Sequence, residues 1–147
     1  MSSSIQGFSS IGKIRLAFRI WILFFDIQLR LRRYPLPVVV DQLSRSVPAR
    51  PPPITPRRLG IIVYRVLHVG PFRARCLLTS LVLFRLMIKQ GDAPHLVIGM
   101  PHTPTSVDAH SWIEYRGRDV GPPPGRGVQL ELVRYPDPNR PVTPSDN

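Results

Sequence analysis

Proline decides where this chain cannot continue a helix or sit inside a sheet, because its ring removes a backbone N–H and clashes with the preceding turn. The sequence holds 18 prolines in 147 residues, most of them clustered. Pro35 and Pro37 break an N-terminal segment. Pro48, Pro51, Pro52, Pro53 and Pro56 interleave with Arg50, Arg57 and Arg58, and Pro122, Pro123 and Pro124 open a stretch that also holds Pro136, Pro138, Pro141 and Pro144. The clusters divide the chain into a tail and accessory helical segment (1–47), an extended linker that excludes helix (48–58), a core (59–121) and a proline-rich C-terminal tail (122–147).

Between the clusters the pattern resolves into elements. Met1 to Gly12 is rich in Ser and Gly and reads as an irregular tail. From Lys13 to Leu43 the spacing is helical: Leu16, Ile20, Leu23, Ile27 and Leu31 form one stripe, while Arg15, Arg19, Asp26, Arg30 and Arg33 repeat on another face. Trp21, Phe25 and Leu29 lie off the main stripe, so this helix is apolar over more than one side and should contact either the core plus a partner or a membrane surface, with packing on its own domain as the leading reading. Leu59 to Val69 leans to helix. Leu77, Leu81, Phe84 and Ile88 mark an amphipathic helix that ends at Lys89, Gln90 and Gly91. Strands are predicted at His95 to Met100 and His110 to Tyr115, with a two-residue turn at Arg116 and Gly117 leading to a return strand at Arg118 to Val120 and a further strand at Val128 to Val133. Helices followed by a small antiparallel sheet make an α+β fold.

Composition narrows the function classes. Twenty Lys and Arg against nine Asp and Glu give a net charge of +11, which favours acidic partners. The most apolar stretch, Ile14 to Arg33, is broken by Arg15, Arg19, Asp26 and Arg30, too often for a spanning helix or a secretory signal, so a cytoplasmic protein is expected. No Gly-Lys-Ser/Thr phosphate loop occurs, and the reading calls for no cofactor. His95, His102 and His110 are spaced by seven and eight residues with no close ligand pair, which argues against a metal site.

Cys76 is the one cysteine. It lies in the first turns of the helix after Pro71, where unpaired backbone N–H groups, the helix dipole and the nearby Arg73 and Arg75 should favour the thiolate. His110 begins a strand on which it shares a face with Trp112 and Glu114, while Ser111, Ile113 and Tyr115 share the other. A thiol needs a base within hydrogen-bond reach to act as a nucleophile, and the base often comes from a distant part of the chain.

Arg75-Cys76-Leu77-Leu78-Thr79-Ser80-Leu81-Val82-Leu83, then Gly91, then Leu96-Val97-Ile98-Gly99-Met100, then Ala109-His110-Ser111-Trp112-Ile113-Glu114-Tyr115-Arg116-Gly117 resembles the stand-alone leader peptidases of bacterial lasso-peptide biosynthesis. These are small transglutaminase-like cysteine proteases, related in architecture to papain. The resemblance covers roughly Leu59 to Gly121. It implies that Cys76 is the nucleophile and His110 its general base and acid, that the substrate is the leader region of a ribosomally made precursor peptide, and that the partners are a separate leader-binding protein and an ATP-dependent lasso cyclase, with no nucleic acid.

One position departs from that family. Its acidic residue a few positions after the turn aligns with Pro122, and a proline side chain cannot orient an imidazole, so the third member of a triad is unassigned. Asp119 should pair opposite Glu114, on the order of 13 Å along the sheet from His110. A backbone carbonyl or a water is left to hold the ring. The competing readings are a small basic nucleic-acid-binding or membrane-surface protein, and a catalytically lapsed relative of the peptidase.

Overall fold

Helical spacing comes first in the chain and period-two runs last, and the computed structural model, which describes residues 10–45, 54–69, 75–101, 109–122 and 129–136, follows that order. The helices are α1 (Ser10–Arg33), α2 (Leu36–Ser44), α3 (Pro56–Leu67) and α4 (Cys76–Lys89). The strands are β1 (His95–Pro101), β2 (His110–Tyr115), β3 (Arg118–Gly121) and β4 (Gln129–Tyr135). They form one antiparallel sheet in the order β3-β2-β1-β4.

Proline acts as punctuation with two corrections. Pro35 caps α2, and Pro37 lies in its first turn, where a missing N–H leaves no hydrogen bond unmade. Pro56 does not close the linker. It opens α3 for the same reason, so residues 56–58 are helical although the sequence reading excluded helix there. At the other end of the N-terminal segment, Ser10 to Gly12 belong to α1 and not to the irregular tail. The prolines at 48, 51, 52 and 53 lie outside the described residues.

The core is built around α4. The sequence suggested an amphipathic helix with one stripe, yet Leu78, Thr79, Ser80, Leu81, Val82, Leu83, Phe84, Leu86 and Met87 are all buried, which leaves no solvent face over the middle of the helix. The reason is its position: α1, α2 and α3 pack on it from one side and β1 and β2 from the other. Ile20, Phe24 and Ile27 of α1, Val39, Val40 and Leu43 of α2, and Leu59, Val63 and Leu67 of α3 join it in one cluster with Leu96 and Ile113 of the sheet.

Polar contacts fix the ends of these helices. Arg85 of α4 donates to the Leu43 and Arg45 carbonyl oxygens at 2.9 and 2.6 Å, satisfying acceptors that the end of α2 leaves open. Arg30 of α1 pairs with Asp26 at 2.9 Å and donates to Gln42 of α2 at 2.8 Å. At the end of α4, Gly91 takes φ 94°, and Asp92 N–H donates to the Met87 carbonyl at 3.0 Å. That left-handed residue is what a glycine stop supplies.

The expected turn is present, with Arg116 at φ 50° and Gly117 at φ 74°, and it pairs Tyr115 with Arg118 and Glu114 with Asp119. One bulge then shifts the register, so Gly121 and not Val120 faces Ile113. Helix α3 lies against this hairpin so closely that a Cβ on Gly60 would collide with the Val120 carbonyl. Gly60→Ala is therefore expected to destabilise the fold by roughly 1–3 kcal/mol, since neither backbone can yield without repacking. Urea unfolding followed by circular dichroism measures it, and an unchanged midpoint would mean that α3 and β3 are not in contact.

Candidate active site

The first residue of a helix has a backbone N–H with no partner inside the helix. Cys76 occupies that position in α4, and Arg75 before it provides no side-chain cap. Four residues later, one turn along the same face, Ser80 donates to the carbonyl oxygen of Ser111 at 3.1 Å, and the Ser111 hydroxyl donates back to Ser80 Oγ at 3.3 Å. Both serines are buried. This joint holds the start of α4 against the start of β2, and the residue before Ser111 is His110.

The half-buried Cys76 thiol meets the side chain of His110 and both the backbone and the hydroxyl of Ser111. Its pKa falls from an ordinary 9.0 to about 7, chiefly because of the His110 hydrogen bond; burial opposes the shift, and the Ser111 hydrogen bonds and the charge on His110 reinforce it. The sequence had pointed to Arg73 and Arg75 as the source of positive charge. Arg73 lies outside the described residues, and Arg75 is not among the causes of the shift. Hydrogen bonds to sulfur do what the arginines were expected to do.

His110 is half-buried at the end of β2, opposite Gly99 of β1. Its Nε2 lies 3.3 Å from the carbonyl oxygen of Pro122. A carbonyl only accepts, so Nε2 carries the proton and Nδ1 is the basic nitrogen of the neutral ring. The position where an acid was expected thus supplies an acceptor after all, from its main chain. Asp119 pairs opposite Glu114, as the turn predicted, and belongs to the far end of the hairpin.

The alternation read from β2 holds. Ser111 meets α4 and Ile113 and Tyr115 join the helical core, whereas Trp112 and Glu114 lie on the other face with His110. The Trp112 ring stacks beside that of His110, with centroids 6.1 Å apart and planes inclined by 19°. Its Nε1 donates to the buried Glu114 carboxylate at 3.2 Å, and Arg134 of β4 donates to the other oxygen of Glu114 at 2.9 Å. The indole lies across β1 at Gly99, where a Cβ would come within 2.9 Å of the ring.

Of the three histidines weighed for a metal, His95 is at the opposite end of β1, paired with Glu114, and His102 lies outside the described residues. Among the described residues no three His, Cys, Asp or Glu side chains gather as metal ligands. No helix among them is long and apolar enough to cross a membrane.

A helix beginning with a cysteine, packed on an antiparallel sheet that carries a histidine against the sulfur, is a transglutaminase-like arrangement, and the family model described as the transglutaminase-like superfamily matches residues 21–130. The chain belongs to the transglutaminase-like superfamily. The match begins within α1 and ends within β4, so the N-terminal helices fall inside the family's own domain. Transglutaminase-like folds generally carry cysteine protease or transglutaminase activity. No curated protein and no solved structure matches the chain.

Ser80 and Ser111 were missed as site residues by the sequence reading. Their signal was there: Ser80 follows Cys76 by one helical turn, and Ser111 adjoins His110 on the face opposite Trp112. With a pKa near 7 about half of Cys76 is thiolate at neutral pH, against about one part in a hundred at 9.0. Alkylation by iodoacetamide should therefore show a midpoint near pH 7. His110→Ala should raise it most and Ser111→Ala by roughly 0.5–1 unit, because the first loses the main partner of the charged sulfur and the second a hydroxyl whose one proton can turn from Ser80 to the sulfur when the thiolate forms. Equal midpoints in all three proteins would show that neither residue reaches the sulfur.

Proposed function

We propose that the protein is a cysteine peptidase that removes the leader segment from a ribosomally made lasso precursor peptide and so delivers the core peptide for macrolactam closure. The observation that carries the reading is the Cys76 thiol held by His110 at the start of α4, with its pKa lowered to about 7. Support also comes from the family's fold and from the two motifs, around Cys76 and around His110, that resemble leader peptidases.

The thiol proton passes to Nδ1 of His110 while Nε2–H remains on the Pro122 oxygen. The Cys76 sulfur attacks the scissile carbonyl carbon, and the Cys76 N–H, which has no partner inside the helix, donates to the oxyanion that forms. As the C–N bond breaks, His110 returns the proton to the departing amine and leaves a thioester on Cys76. Water, deprotonated by His110, then hydrolyses the thioester and regenerates the thiol.

Peptide capture needs a partner on this reading, and α1 offers a surface for one. Ile11, Ile14, Phe18, Ile22, Phe25 and Leu29 are exposed and recur every three or four residues on the side of the helix away from its buried Ile20, Phe24 and Ile27. The stripe is flanked by exposed Arg15, Arg19, Arg32 and Arg33. A second copy would set cation against cation, so the fitting occupant is a leader-binding protein with an apolar surface rimmed by acids. The cyclase then takes the freed core.

Two experiments test the reading. Cys76→Ala and His110→Ala should each lower cleavage of the cognate precursor by at least about a thousandfold in mass spectrometry while circular dichroism stays unchanged. Full cleavage by the Cys76 variant would falsify the peptidase. Charge reversal at Arg15 and Arg19, which leaves the Arg30 contacts intact, should weaken binding to the leader-binding protein by about tenfold and leave Cys76 alkylation untouched. If affinity is retained and the double variant instead loses binding to anionic vesicles, α1 is a membrane-surface helix and not a docking site for that protein.

A further inference from the structure

A hydrogen bond to one corner of an imidazole does not fix the tilt of the ring, and the Pro122 contact is long at 3.3 Å. The Cys76 contact holds a second corner, and the two together still let the ring rock about the line between them, so a restraint on the ring face is what keeps Nδ1 aligned with the sulfur. The face of β2 away from α4 holds a chain of contacts, buried at Trp112 and Glu114, that ends beside that ring. It starts at β4, where Arg134 is itself gripped by Glu131, with both donors 2.9 Å from its carboxylate oxygens. From there Arg134 crosses β1 to reach Glu114 at 2.9 Å.

Glu114 is 2% exposed, and a carboxylate so far from water is retained only with a charged partner. Its second oxygen accepts from the Trp112 indole at 3.2 Å. That bond prevents the indole from turning about its own side-chain torsions, and Gly99 leaves the space in which the ring lies flat across β1. The indole in turn stacks beside His110. Each link fixes the next.

We propose that Arg134, Glu114 and Trp112 form a positioning chain that sets the tilt of the His110 ring for proton transfer at Cys76. The inference rests on the reading of Cys76 and His110 as the reacting pair, and it assigns to a strand two places away in the sheet a role that no residue adjoining the sulfur reveals. Trp112 stacks beside the imidazole, whereas Glu114 and Arg134 act through the indole.

The test is read on the full chain without any peptide, by the pH dependence of Cys76 alkylation with iodoacetamide. Arg134→Ala and Trp112→Phe should each raise the midpoint by at least half a unit and slow alkylation at pH 7 at least threefold. Arg134→Lys, which keeps a charged donor for Glu114, should stay within twofold of the wild type. Trp112→Phe leaves every charge in place, so a wild-type midpoint in that folded variant overturns the chain and reduces any Arg134→Ala effect to long-range charge. Should Trp112→Phe not fold, Arg134→Ala in 0.5 M salt decides: a shift that persists supports the chain, and one that vanishes overturns it. Absence of precursor cleavage would count against the peptidase and leave this test standing.

Discussion

Two serines that water does not reach decide where the sulfur meets the imidazole. Helix α4 is buried on nearly every side and mostly apolar, so hydrophobic burial alone would accept many rotations of the helix about its axis and many shifts along it. The Ser80 and Ser111 hydroxyls accept only one. Any other setting leaves a buried hydroxyl and the Ser111 carbonyl without partners, at roughly 1–3 kcal/mol for each group. The reacting end of the helix is thereby aligned with β2 by a polar joint one turn away, set among side chains that could not have specified it.

The sheet divides the work between its faces. The face toward α4 supplies apolar packing and the serine joint, and the face away from it supplies ring stacking and a buried ion pair. His110 stands at the end of the strand where both meet. The electrostatic setting of the thiol comes chiefly from the His110 side chain, reinforced by the Ser111 backbone and hydroxyl, so it is made by contacts that the fold brings to the sulfur and not by surface charge. The large positive charge of the chain belongs to its outer surfaces, most visibly α1.

How much of this could be read from the residues depends on range. The turn at Arg116 and Gly117, the limits of β2, the glycine stop at Gly91 and the alternation of His110, Ser111 and Trp112 are local consequences of chirality and pleat, and each was legible. The burial of α4 was not, since the pattern of Leu77, Leu81, Phe84 and Ile88 is satisfied by one packed face and only the tertiary arrangement adds the others. Pro56 misled because proline breaks a helix everywhere except at its first turn, and the sequence does not say which side of the boundary a residue occupies. The Ser80 and Ser111 pairing and the Arg134 contact with Glu114 join residues 31 and 20 positions apart, beyond any local rule. The Pro122 oxygen was open to reasoning only as one option among several, because a bulge that the side chains do not announce fixes where it falls.

An acceptor that belongs to the backbone has no codon. Where an imidazole is held by an aspartate, a single base change can remove the acceptor and silence the protein. Here the oxygen behind His110 exists whatever side chain stands at position 122, and it is withdrawn only when the path of the chain changes. Loss of this contact therefore arises through insertions, deletions, altered register between β2 and β3, or a side chain at Gly121, whose φ of 132° suits glycine, and the vulnerable positions are those that shape the backbone.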